Sequence, residues 1–271
     1  MTAVNYEAEY NNRARVPEHP ALMAAWARDA AAWRAEHPPR VLTYGPSARN
    51  KIDLFAGADN APVVVFIHGG YWQAFDGSFF SHCARGLNQH GISVAVPSYD
   101  LCPAVSVHEI IRQMWMAARE LARLGRPLVV SGHSAGGHLA ACMLATDWVA
   151  FDPSLPRQLV SAAYAISGLF DLAPLVGTSV NKALRLDDVS ARAASPLHWT
   201  PPAHGTLDAL VGENESAEYH RQSRLIVDGW GKAGVTVSFG TVPGANHFTA
   251  IAPLSDPGSA MVARLKELAQ R

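Results

Sequence analysis

The feature that most constrains this chain is Gly132-His133-Ser134-Ala135-Gly136-Gly137, set between the apolar run Leu128-Val129-Val130 and a helix-forming stretch over 138–144. Strand, Gly-x-Ser-x-Gly, helix is the pattern of a sharp turn that lifts a serine hydroxyl clear of a sheet. So tight a turn puts the serine backbone under strain. Residues two before and two after it must lack bulk, so that strand and helix can approach closely. The same spacing of glycines occurs in ordinary loops, and it is the flanking strand and the alanine-rich helix that single it out here.

A second motif lies upstream. Val63-Val64-Val65-Phe66-Ile67 is a continuous, largely β-branched apolar run, the mark of a strand buried on both faces, and it ends in His68-Gly69-Gly70-Tyr71-Trp72. Acyl transfer needs backbone N–H donors aimed at a carbonyl oxygen as it becomes negative, and glycines allow the backbone to come that close. One such donor follows the serine and the others come from an HGGG-type loop after the third strand. Ala135, Gly70 and Tyr71 occupy those positions. A plain strand-ending turn is the competing reading of the loop.

The chain has 271 residues, 49% of them hydrophobic, enough for one large domain with a sizeable core. Twenty-two basic residues balance 23 acidic ones, and no charged stretch points to nucleic acid or another polyanion. No signal-like apolar segment opens the sequence, and no run approaches the length that spans a bilayer, so a cytoplasmic protein without a membrane partner is expected. Cys83, Cys102 and Cys142 are too scattered for a disulfide framework or zinc site and are expected in the core. Neither a metal nor a cofactor is expected. A small-molecule substrate is the expected partner, and a homodimer is left open.

Residues 1–39 form an N-terminal extension. Within it Leu22, Trp26, Ala30 and Trp33 recur at helical spacing, which predicts an amphipathic helix over 20–36, ended by Pro38-Pro39. Strands are predicted over 41–44, 51–55, 63–67, 92–96, 128–131, 161–166, 207–211 and 235–242. Helices are predicted over 78–90, 107–124, 135–147 and 217–233, and from 256 onward. Strands alternating with helices imply a mostly parallel sheet covered on both faces, here the eight-stranded α/β-hydrolase plan. Residues 167–205 interrupt the alternation with four prolines and read as a short cap insertion in a hydrolase domain spanning 40–271, or as a plain long connection.

A serine hydroxyl needs a base, and the base needs a carboxylate to fix its tautomer. In this fold the chain order is serine, acid, histidine. Of 12 histidines, His247 has the best setting, in the small-residue loop Pro243-Gly244-Ala245-Asn246-His247 after the last predicted strand. His68 and His133, which flank the two motifs, are expected to brace them. The loop after strand 207–211 reads Gly212-Glu213-Asn214-Glu215-Ser216 and has no aspartate. Glu215, deeper in the loop, is the favoured acid. Glu213 and the in-strand Asp208 remain alternatives.

Together, HGGYWQ from His68, GHSAGGHL from Gly132, ESAEYHRQS from Glu215 and His247-Phe248 resemble the serine-dependent kynurenine formamidases (arylformamidases), α/β-hydrolases close to the hormone-sensitive-lipase group. The resemblance runs from about residue 40 to the C-terminus, with HGGYW in place of HGGG as its more specific element. It implies Ser134 as nucleophile, His247 as base and the position of Glu215 as acid, where the family usually carries aspartate. The implied activity is metal-independent hydrolysis of an aryl formamide such as N-formylkynurenine. Alternatives are a carboxylesterase and a non-catalytic binding protein on the same fold. Tyr71 and Trp72 would crowd the acyl side, and Trp72, Phe170 and Trp199, with Leu169, would wall the substrate pocket. The segment Tyr10-Asn11-Asn12-Arg13 matches no substrate feature in this reading.

Overall fold

Five consecutive apolar residues at Val63–Ile67 can be buried only if both faces of their strand are covered. The computed structural model describes residues 4–271 and shows this arrangement. Val63, Val65 and Ile67 enter one core with Ile110 and Leu139, while Val64 and Phe66 enter a second with Phe80 and Val262. The helices Val107–Ala122 and Ala135–Leu144 feed the first core, and the helices His19–Glu36 and Ala260–Ala269 feed the second.

The strands are β1 (Arg40–Thr43), β2 (Lys51–Phe55), β3 (Val63–Ile67), β4 (Ser93–Pro97), β5 (Leu128–His133), β6 (Val160–Ile166), β7 (Thr206–Gly212) and β8 (Thr236–Val242). They form one sheet in the order β1-β2-β4-β3-β5-β6-β7-β8. β1 and β2 pair antiparallel, as do β2 and β4, and every other pairing is parallel. The parallel strands point the same way, so the loops after β3, β5, β6, β7 and β8 gather along one edge, where an open α/β sheet binds its ligands.

The elements depart from the sequence reading where chain ends and special turns intervene. Two short helices, Tyr6–Tyr10 and Asn12–Arg15, precede the long N-terminal one; Asn5 and Asn11 cap them by accepting from Ala8 N and Ala14 N. The helix expected over 78–90 is a 3-10 stretch, Gly77–Ala84, followed by one short turn, Arg85–Asn88. The final helix begins at Ala260 instead of 256: Ser259 caps it by accepting from Val262 N, while Asp256 instead closes a turn over Pro257-Gly258 by accepting from Gly258 N. In the insertion, Asp187 and Ser190 form a capping box that starts an unanticipated helix, Asp188–Ala193. All three cysteines are buried and free.

The long N-terminal helix packs on the 3-10 stretch Gly77–Ala84. Trp26 lies 5.3 Å from the Phe80 ring and 5.9 Å from the Phe248 ring. Arg34 bridges to Asp53 on β2 and to Ser81. Tyr10, almost wholly buried, donates its hydroxyl to Glu218 at 2.8 Å and accepts from Gln222 at 2.9 Å, tying the chain start to the helix Ala217–Lys232. Glu7 accepts from the backbone and hydroxyl of Ser179 in the insertion, both at 2.6 Å.

The turn after β5 shows why its glycines are needed. A Cβ on Gly136 would overlap the carbonyl oxygen of Ile67, and one on Gly132 would overlap that of Gly136. Both obstacles are backbone atoms that cannot swing aside. Gly136→Ala is therefore expected to lower stability by at least the ~1–3 kcal/mol typical of an overpacked core, read as a drop in denaturant midpoint. An unchanged midpoint would mean that strand and helix can separate at no cost.

Candidate active site

Each candidate side chain sits just beyond the end of a parallel strand. Ser134 follows β5 with φ 56° and ψ −117°, a left-handed conformation costly for a non-glycine residue, and its N–H is anchored on the Ile166 carbonyl at 2.8 Å. Glu215 follows β7 and its side chain is wholly buried. One carboxylate oxygen accepts from the Gly212 N–H at 2.7 Å and from the Ser167 hydroxyl; the other accepts from His247 Nδ1 at 2.6 Å. Because Nδ1 carries the proton, Nε2 is the nitrogen left to act as a base. A buried carboxylate is tolerated when its lone pairs are met in this way.

The alternative acids lie elsewhere. Asp208, itself buried, pairs with the half-buried Arg264 at 2.6 Å and accepts from Ser238 at 2.7 Å, on the helix-covered face of the sheet. Glu213 is exposed and accepts from the Gly244 N–H. The choice between the two glutamates is thus geometric: Glu215 meets the imidazole and Glu213 does not.

His247 is packed between Tyr219, 4.6 Å away between ring centres, and His133, 4.7 Å away. His133 is held well below the ordinary histidine range, chiefly by burial and then by its neighbour His247. His68 donates from Nδ1 to the Gly69 carbonyl at 2.8 Å and stacks on Tyr99 at 4.2 Å; burial pushes it down to about 4. Both rings are thereby neutral at neutral pH, and His133 places no positive charge beside His247.

The loop after β3 turns back through two left-handed residues, Tyr71 (φ 50°) and Trp72 (φ 57°). Among the described residues, the backbone N–H groups of Gly70, Tyr71 and Ala135 donate to no protein acceptor. The double turn sends the two aromatic side chains apart. Tyr71 enters the cavity at Ser134, whereas Trp72 is fully buried and packs edge-on against His138, 5.0 Å away.

The cavity holds about 470 Å³ and contains Ser134, His247, His133, Gly69, Gly70 and Tyr71. Its walls differ from the expected ones. Trp72 does not reach it. Phe170 is fully buried, its ring filling the space over Gly168 where a Cβ would sit. Trp199 turns away to donate to the Ala193 carbonyl at 2.8 Å. The insertion contributes Thr178, Ser179 and Val180 instead, and the N-terminal segment contributes Tyr10, Asn11, Asn12, Arg13 and Trp26. Which residues of the extension and insertion reach the cavity is not written in a single sequence, because contact between residue 12 and residue 134 depends on how the extension folds back. No group of three or more potential metal ligands occurs among the described residues.

Residues 64–251 match the model of a family with the α/β-hydrolase fold. The chain belongs to the α/β-hydrolase family. This hydrolase is 31% identical to kynurenine formamidase of Danio rerio over 79% of its own length and 76% of that protein. It is also 31% identical to kynurenine formamidase of Drosophila melanogaster, over 78% and 74%. A crystal structure from Silicibacter sp. TM1040, of a protein provisionally described as a thioesterase, superposes with a TM-score of 0.83 at 35% identity, covering 96% of the hydrolase and 98% of that chain.

Proposed function

We propose that this hydrolase cleaves an aryl formamide of the N-formylkynurenine type through an acyl-enzyme on Ser134. The observation that carries the reading is the buried Glu215–His247 pair, set with Ser134 in a cavity lined by Tyr71, Phe75, Phe80 and Trp26. His247 Nε2 takes the hydroxyl proton as Ser134 attacks the formyl carbon. The N–H groups of Gly70, Tyr71 and Ala135 receive the oxyanion. The imidazolium then protonates the departing aryl amine, and water repeats the sequence on the formyl-serine. The kynurenine formamidases of fish and fly support the choice of formamide.

The second reading is a short-chain esterase. The same groups attack an ester, and the Silicibacter protein is described as a thioesterase. Measuring kcat/KM for N-formylkynurenine beside p-nitrophenyl acetate and butyrate separates the two. With Tyr71 crowding the serine, each added methylene on the acyl side is expected to lower kcat/KM by about tenfold. Rapid butyrate hydrolysis with the formamide ignored would make this a carboxylesterase.

Arg13 is the only arginine or lysine in the cavity lining among the described residues. It is the side chain placed to receive a carboxylate on the leaving amine, as an amino-acid substrate would carry. A charge-assisted hydrogen bond of that kind is worth ~1.5–3 kcal/mol, so Arg13→Gln should raise KM for N-formylkynurenine by about tenfold or more. KM for formanilide, which lacks a carboxylate, should rise far less. Equal changes for both would take the carboxylate away from Arg13.

A further inference from the structure

Tyr219 and Asn12 lie outside the serine, acid and base, yet they join the N-terminal segment to His247. Tyr219 sits one helical turn beyond Glu215 and is fully buried, with its ring against His247. Asn12, also buried, donates from Nδ2 to the Tyr219 hydroxyl at 2.8 Å. The Tyr71 and Tyr219 hydroxyl oxygens are 2.7 Å apart, and Tyr71 donates to the Tyr10 carbonyl at 2.7 Å.

A phenol has one proton, so these contacts have a direction. Tyr71 spends its proton on the Tyr10 carbonyl, and the Tyr71–Tyr219 bond must then use the proton of Tyr219. The Tyr219 oxygen is left as an acceptor. One of its acceptor sites is filled by Asn12, and the ring that carries this oxygen lies against His247, 4.6 Å between ring centres. Asn12 thereby tethers the ring that packs on His247 from an element more than a hundred residues away in sequence.

We infer that Asn12 is a positioning residue: acting through Tyr219, it holds the His247 ring in its reactive arrangement toward Ser134, so that the N-terminal segment positions the base as well as walling the pocket. The inference rests on the serine mechanism proposed above. Without the Asn12 donor, the Tyr219 hydroxyl loses one of its two tethers, and the ring packed on His247 is free to let the imidazole shift away from Ser134. Displacements well under the size of an atom are enough to matter, since about 1 Å of misplacement costs on the order of a hundredfold in rate.

The test compares wild type, Asn12→Ala, Tyr219→Phe and the double variant, each in the full chain and each checked for thermal midpoint. Three rates are measured: kcat and KM for formanilide, the same for p-nitrophenyl acetate, and the second-order rate of covalent labelling by a fluorophosphonate. Asn12→Ala and Tyr219→Phe should each lower kcat on both substrates and the labelling rate by about 10- to 100-fold, with KM changed little. The double variant should be no slower than the slower single, because both substitutions interrupt one path. Tyr219→Phe keeps the ring packed on His247 and guards against an Asn12 variant that fails to fold. Labelling at the wild-type rate in folded single variants, a loss confined to KM, or losses that multiply in the double variant would each overturn the inference and leave the serine mechanism intact. Absence of labelling in the wild type would remove that mechanism, and the inference with it.

Discussion

Replacing Ser134 with alanine is expected to cut kcat by about 10⁴-fold or more on any formamide or ester the protein cleaves. The residual rate is what the cavity and the free N–H groups of Gly70, Tyr71 and Ala135 supply without a nucleophile. Stability should be unchanged, because Ser134 keeps its N–H bond to Ile166 and alanine adds no atom to the turn. A fluorophosphonate should add to Ser134 in the wild type and to nothing in the variant, read by intact mass and peptide mapping. Undiminished turnover in Ser134→Ala, or a label on another residue, would exclude the acyl-enzyme. Failure to label the wild type would favour a non-catalytic binding protein on the same fold.

Glu215→Gln is the second large effect, about 10⁴-fold in kcat with the fold retained. The surroundings of the carboxylate give the reason. One of its oxygens accepts from the Gly212 N–H, which can only donate. A glutamine must turn its carbonyl to that N–H, which leaves its NH₂ facing His247 Nδ1. Nδ1 must then accept, the ring proton moves to Nε2, and the base is blocked at the atom that should receive the serine proton. Glu213→Gln should change kcat little, since Glu213 only accepts from the Gly244 N–H at the surface. The pair of variants is decisive. A large loss in Glu213→Gln with near-normal Glu215→Gln would move the acid to residue 213.

Much of the site was legible because α/β-hydrolase chemistry leaves local marks. A serine on a strained turn needs glycines at fixed offsets, so Gly132, Gly136 and the strand before them identify the turn without any tertiary information. The same holds for the glycines after Val63–Ile67 and for His247 in its small-residue loop. Glu215 was separable from Glu213 only as a preference, because two residues in one loop differ in direction and not in composition. The burial of one and exposure of the other follow from how the loop folds over Gly212. Trp72, Phe170 and Trp199 show the opposite case. Large aromatic residues beside a motif read equally well as pocket walls or as core, and here two went into the core and the third onto a carbonyl.

The alternation of strands and helices, the strand buried on both faces, the serine turn, the glycine loop after β3 and the order of the candidate serine, acid and base are all legible along the chain. Each is written in neighbouring residues, through side-chain periodicity or through the backbone freedom of glycine. What surrounds Ser134 is set by how distant segments fold together. Asn12 meets Tyr219 and Tyr71, Glu7 meets Ser179, and Tyr10 meets Glu218 and Gln222, all across separations of tens to hundreds of residues. Hydrogen bonds between such distant polar groups leave no periodic trace in a single chain. They exist because the N-terminal segment buries Tyr10, Trp26 and Trp33 on the body of the protein, and that burial carries Asn12 and Arg13 to the cavity.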